Sequence, residues 1–103
     1  MIALVENKLE RVKELCARHQ VKQLELFGSA SEGQFDAATS DLDFLVEFLP
    51  MPPAQHARSY FELLEALQNL FGCPVDLAET RALTNPYFLD AIRPTRTVLY
   101  AAA

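Results

Sequence analysis

The segment Ser40-Asp41-Leu42-Asp43-Phe44-Leu45-Val46 constrains this chain most. Leu42, Phe44, Val46 and Phe48 fall at alternate positions, the pattern of a strand with one buried face. Successive strand side chains point to opposite faces, so Asp41 and Asp43 share the other side. The spacing predicts a strand over Asp41 to Phe48, central in its sheet because its apolar side is bulky. Glu47 falls on the aspartate side and reads as a solvated strand end. Two carboxylates side by side repel each other unless a cation lies between them. Hard oxygen donors suit Mg²⁺, which takes one or two carboxylates together with substrate phosphates.

Two flanking segments extend this pattern. Val21 to Phe27 reads as a first strand, with Leu24 and Leu26 on one side and Glu25 and Phe27 on the other. It runs into Gly28-Ser29. Glycine lets a phosphate approach the backbone closely, and Ser29 is placed to cap a short helix reaching about Gly33. Such a turn offers backbone N–H groups and a hydroxyl to an anion. Downstream, Val75-Asp76-Leu77 reads as another short strand carrying a lone carboxylate. Asp41 alone would pass for a turn residue, because Asp is common there. Asp43 and Asp76 are harder to dismiss, because Asp is depleted in strands.

The remaining segments supply a frame. Val5, Leu9, Val12, Cys16 and His19 follow helical spacing and predict an amphipathic helix from Ala3 to His19, with His19 at its end. Residues 33–40 read as a loop. Pro50-Met51-Pro52-Pro53 reads as a stiff linker. A second helix is predicted from His56 to Phe71, with Tyr60, Leu63, Leu64, Leu67 and Phe71 as its buried stripe and Gly72 just past its end. Pro86 opens another helix to about Ile92, Thr97 to Tyr100 forms a last strand, and Ala101 to Ala103 is a frayed tail. Arg81, Arg93 and Arg96 form the local cluster of positive charge, as surface arginines or as a reach toward phosphates. The order implies an α/β fold, a small mixed β-sheet flanked by helices.

At 103 residues, 1–103 is expected to be one domain, and half of the residues are hydrophobic, which excludes a disordered chain. The net charge of −5, without a dense Lys/Arg patch, argues against direct nucleic-acid binding and favours a protein or small-molecule acceptor. No apolar run reaches membrane-spanning length, and the first residues lack the order of a signal peptide, so a cytoplasmic protein is expected. Cys16 and Cys73 read as reduced thiols in apolar helical surroundings, not as part of a zinc site.

Gly28-Ser29, then Asp41-x-Asp43, then Asp76 on a later strand resembles the nucleotidyltransferase superfamily of DNA polymerase beta. The short length and Ser40-Asp41-Leu42-Asp43 look most like its minimal nucleotidyltransferase branch, the MntA-like antitoxin partners of helical HEPN toxins. The resemblance runs from Leu24 to about Tyr100. It implies a polymerase-beta-like nucleotidyltransferase fold and Mg²⁺-dependent transfer of a nucleoside monophosphate, AMP from ATP or another from its own triphosphate, to a hydroxyl of a HEPN-type protein. By resemblance, Asp41 and Asp43 bind two metal ions, Asp76 holds the one beside the acceptor and can take its proton, and Gly28 and Ser29 grip the triphosphate. A homo- or hetero-oligomer is also implied, since a domain this small has no separate acceptor module. The family commonly has Gly-Ser-x-Ala-Arg-Gly; here Glu32 stands in place of the arginine. That departure keeps open an antitoxin acting by binding alone. Transfer to a small molecule is the other alternative.

Overall fold

The computed structural model describes residues 3–28, 41–80 and 96–102. Helices α1 (Ala3–Glu6) and α2 (Leu9–Arg18) lead into strand β1 (Val21–Phe27). Strand β2 (Leu42–Phe48), helix α3 (Pro53–Phe71) and strands β3 (Val75–Glu79) and β4 (Thr97–Ala101) follow. The predicted elements at 29–33 and 86–92, the loop at 33–40, Ser29, Glu32, Arg81 and Arg93 lie outside the described residues.

The four strands form one sheet in the order β3-β2-β1-β4. β1 pairs antiparallel with β2 and β4, whereas β2 pairs parallel with β3. A parallel neighbour needs a crossover, and α3 supplies it. β2 is internal, as its bulky side predicted. Leu42, Phe44, Val46 and Phe48 are buried, together with Leu24 and Leu26 of β1 and Leu77 of β3. Against them pack Val12, Leu15 and Cys16 of α2 and Leu63, Leu67 and Phe71 of α3, with the Phe44 and Phe71 rings stacked at 6.0 Å. The helices thereby cover one face of the sheet and leave the aspartate side to the other.

Four local expectations are corrected. The first helix is broken: Asn7 N–H donates to Ala3 and Lys8 N–H to Val5, a tightened turn between α1 and α2. Val5 and Val12 are both fully buried across that break, which is why the apolar spacing did not reveal it. The proline stretch is more than a linker. Pro52 is the N-cap of α3 and Pro53 its first residue, a position where the missing N–H costs nothing. Ala101 belongs to β4 and the Ala102 N–H donates to Lys22 at 2.8 Å, so those residues are held by the sheet. Cys73 follows α3 and is half-buried, outside helical surroundings.

Other expectations agree with the structure. β1 has the predicted bounds, and His19 caps α2 through its backbone N–H to Leu15. Gly72 ends α3 in the left-handed conformation at φ 65°. Glu47 is held at the surface by Lys22, 3.4 Å away. Among the described residues, no helix is long and apolar enough to cross a membrane.

Candidate active site

The site forms where β1 ends and β2 and β3 begin. Parallel pairing sets Leu42 against Val75 and Asp43 against Asp76, and the Leu42 N–H donates to the Pro74 carbonyl at 3.0 Å. Residues paired across neighbouring strands share a face, so the Asp43 and Asp76 carboxylates stand side by side. Asp41 lies one residue before β2 and is exposed, as is Asp76, whereas Asp43 is half-buried. On the other flank of β2, Asp43 pairs with Phe27, the last residue of β1.

Gly28 follows at once. Its φ is +76°, and a Cβ built there would lie 2.7 Å from Asp43 Oδ2. Only glycine allows the β1 turn to pass this close to the carboxylate. The structure thus brings together four of the five residues singled out in the sequence: Gly28, Asp41, Asp43 and Asp76. Ser29, the fifth, is outside the described residues.

Electrostatics follow from this crowding. Burial raises the Asp43 carboxyl above the usual carboxylate range, and the Asp76 and Asp41 charges raise it further. Asp41 also adds to the burial that raises the Cys73 thiol. Among the described residues, no cationic side chain pairs with Asp41, Asp43 or Asp76. Nor does any group of three His, Cys, Asp or Glu side chains enclose a ready-made cation site. The donors fit a hard divalent ion in kind: oxygens only, negatively charged, beside a backbone that can admit phosphate. They are too open to close a cage alone, as suits an ion that shares its shell with substrate phosphates.

Arg96 departs from the reading as a reach toward phosphates. Its guanidinium grips Glu25 with two hydrogen bonds, Nε to Oε2 and Nη2 to Oε1, each 2.6 Å. The Glu25 side chain is only 7% exposed, and Gln23 donates to the same carboxylate at 3.2 Å. The charge of Arg96 is therefore spent on tying β4 to β1. Sequence reasoning missed this pair because its members are 71 residues apart. The available signal was a glutamate between Leu24 and Leu26 in a predicted strand.

The nucleotidyltransferase domain family matches residues 9–97 of the chain. The chain belongs to that family. It is a nucleotidyltransferase, and the mixed sheet of four strands among the described residues matches the minimal nucleotidyltransferase fold. A protein of Methanocaldococcus jannaschii named "putative protein adenylyltransferase" is 33% identical over 92 residues, 82% of this chain and 90% of that protein. A solved structure described as a "putative minimal nucleotidyltransferase" superposes with a TM-score of 0.75 at 30% identity, covering 93% of this chain and 95% of that one. An antitoxin of the minimal nucleotidyltransferase kind, solved with the tri-AMPylated HEPN toxin of Shewanella oneidensis, shares the fold. Its TM-score is 0.63 at 17% identity, covering 94% of this chain and 72% of that one.

Proposed function

We propose that this single-domain nucleotidyltransferase moves AMP from ATP onto a hydroxyl of a partner protein in the cytoplasm, and that the partner is a HEPN-type toxin silenced by the modification. The observation that carries the reading is the pairing of Asp43 with Asp76 beside Gly28. It supplies adjacent carboxylates on rigid strands next to a turn that lets phosphate approach. The adenylyltransferase name of the M. jannaschii relative and the AMPylated toxin seen with the antitoxin support the same direction.

Asp41, Asp43 and Asp76 would hold Mg²⁺, in two ions. When bound, Mg²⁺ supplies charge stabilisation to the attacking oxygen, the phosphoryl oxygens and the leaving pyrophosphate. The chain's own residues do the rest. Gly28, with Ser29, binds the β- and γ-phosphates through the turn after β1 and orients the α-phosphorus toward the acceptor. Asp76, exposed at the start of the outer strand, faces the acceptor side and takes the hydroxyl proton as the new P–O bond forms. The pyrophosphate departs with the bonding pair of the broken P–O bond. The partner provides the acceptor side of the site, forming a hetero-oligomer.

Intact mass spectrometry tests this. The chain is incubated with ATP, Mg²⁺ and the product of the adjacent gene, with Asp43→Asn as control. One or more AMP additions on the partner, absent with Asp43→Asn, are expected. Full activity in Asp41→Asn or Asp43→Asn would overturn the assignment. Glu32, where the family commonly has arginine, favours a second reading in which the chain neutralises its partner by occlusion. Tight binding without a mass gain is the outcome that selects it.

A further inference from the structure

Asp76 lies on β3, an outer strand of the described sheet, and its side chain is exposed. Packing on the carboxylate therefore does little to fix it, and its position depends on the backbone of β3. β2 supplies one side of that support. The Pro74 carbonyl accepts from Leu42, so it points at β2. Carbonyls alternate along a strand, which turns the Asp76 carbonyl toward β2 as well and the Leu77 carbonyl outward. The outward carbonyl is taken by Tyr60 of α3, whose hydroxyl donates to it at 2.6 Å. Burial, the Glu79 carboxylate and the Asp76 carboxylate all raise the phenol above its ordinary range, so it remains a protonated donor. His56, also on α3, contacts Glu79 at the other end of the strand.

We propose that Tyr60 is a positioning residue for Asp76: its hydroxyl bond to the Leu77 carbonyl holds the outer strand in register, so that the Asp76 carboxylate stands beside Asp43. The importance of that placement rests on the reading of Asp76 as a metal-site carboxylate. The Tyr60 ring also packs against the core and against Phe61. The hydroxyl is separable from that packing, and Tyr60→Phe removes it alone.

Two readouts on Tyr60→Phe test the proposal, with Val12→Ala as a variant destabilised on the far helix. The first is amide exchange in metal-free protein. Loss of one hydrogen bond should speed exchange at the Leu42 amide roughly fivefold, while amides between β1 and β2 keep wild-type rates. Val12→Ala should change the amides together or not at all. The second is manganese binding, followed by electron paramagnetic resonance with a non-hydrolysable ATP analogue. Tyr60→Phe should weaken it several-fold, in the direction of Asp76→Asn, and Val12→Ala should not. Wild-type exchange at Leu42 in Tyr60→Phe overturns the proposal. Faster exchange with unchanged manganese binding overturns the placement of Asp76 while leaving the strand contact. Wild-type protein that takes up no manganese overturns the metal reading itself. The exchange arm, run without metal, still decides whether Tyr60 holds β3.

Discussion

Gly28→Ala separates the backbone's contribution at this site from that of the carboxylates. The new Cβ would lie 2.7 Å from Asp43 Oδ2, against an ordinary contact of 3.4 Å or more. Either the turn or the carboxylate must yield by about 0.7 Å, the difference between those distances. Alanine at φ +76° also pays the left-handed penalty, about 1–2 kcal/mol. For a domain near 100 residues that is a fall in Tm of roughly 5–10 °C. Misplacing a reacting group by ~1 Å costs about a hundredfold in rate, so a shift of this size predicts a loss of roughly ten- to a hundredfold in kcat. The assays are thermal unfolding of the purified chain and AMP transfer to the partner by intact mass. Wild-type Tm and wild-type turnover together would refute the geometry of the cradle. A lowered Tm with full turnover would refute the roles given to this corner of the site, because whichever of the turn and the carboxylate had yielded would then be one that the chemistry does not use.

Asp43→Asn should abolish AMP transfer and yet raise the Tm of metal-free protein at neutral pH. A carboxyl whose folded pKa is raised binds its proton more tightly when folded. Ionising it costs stability as pH rises from the unfolded value through the folded one, and the cost persists above. Wild-type stability should accordingly decline across that acidic window, less so in Asp43→Asn, as read by urea unfolding at a series of pH values. Arg96→Met leaves the buried Glu25 charge without its cation, with the Gln23 amide still donating to it, and should cost about 3 kcal/mol in urea unfolding; the double variant Glu25→Leu/Arg96→Met should recover most of it. Cys16 is fully buried and its thiol is pushed up to about 12, so iodoacetamide should alkylate Cys73 first under native conditions, as peptide mass mapping would show.

Much of the site was legible because strand alternation is a strong local signal. Asp43 and Asp76 interrupted apolar strands, and the structure pairs them. What the sequence could not carry were relations between distant segments. Nothing in the order of residues says that Arg96 will meet Glu25, or that the Tyr60 hydroxyl will reach the Leu77 carbonyl. Both partners had been assigned ordinary places, one in a positive cluster and one in a buried stripe. Helix ends were lost for a different reason. Proline disfavours a helix interior but suits its first turn, so Pro52-Pro53 reads equally as a spacer or as the opening of α3 until the fold decides.

The parallel pairing of β2 with β3 has a kinetic consequence. β1 and β2 meet as antiparallel neighbours, whereas Asp76 reaches Asp43 only across the crossover that contains α3. Long-range parallel contacts close late, because their loop entropy is paid before they are rewarded. The carboxylates are thus kept apart until β3 docks on β2, and their repulsion falls on that step. Divalent ions added during refolding should act on that step and leave the pairing of β1 with β2 unchanged.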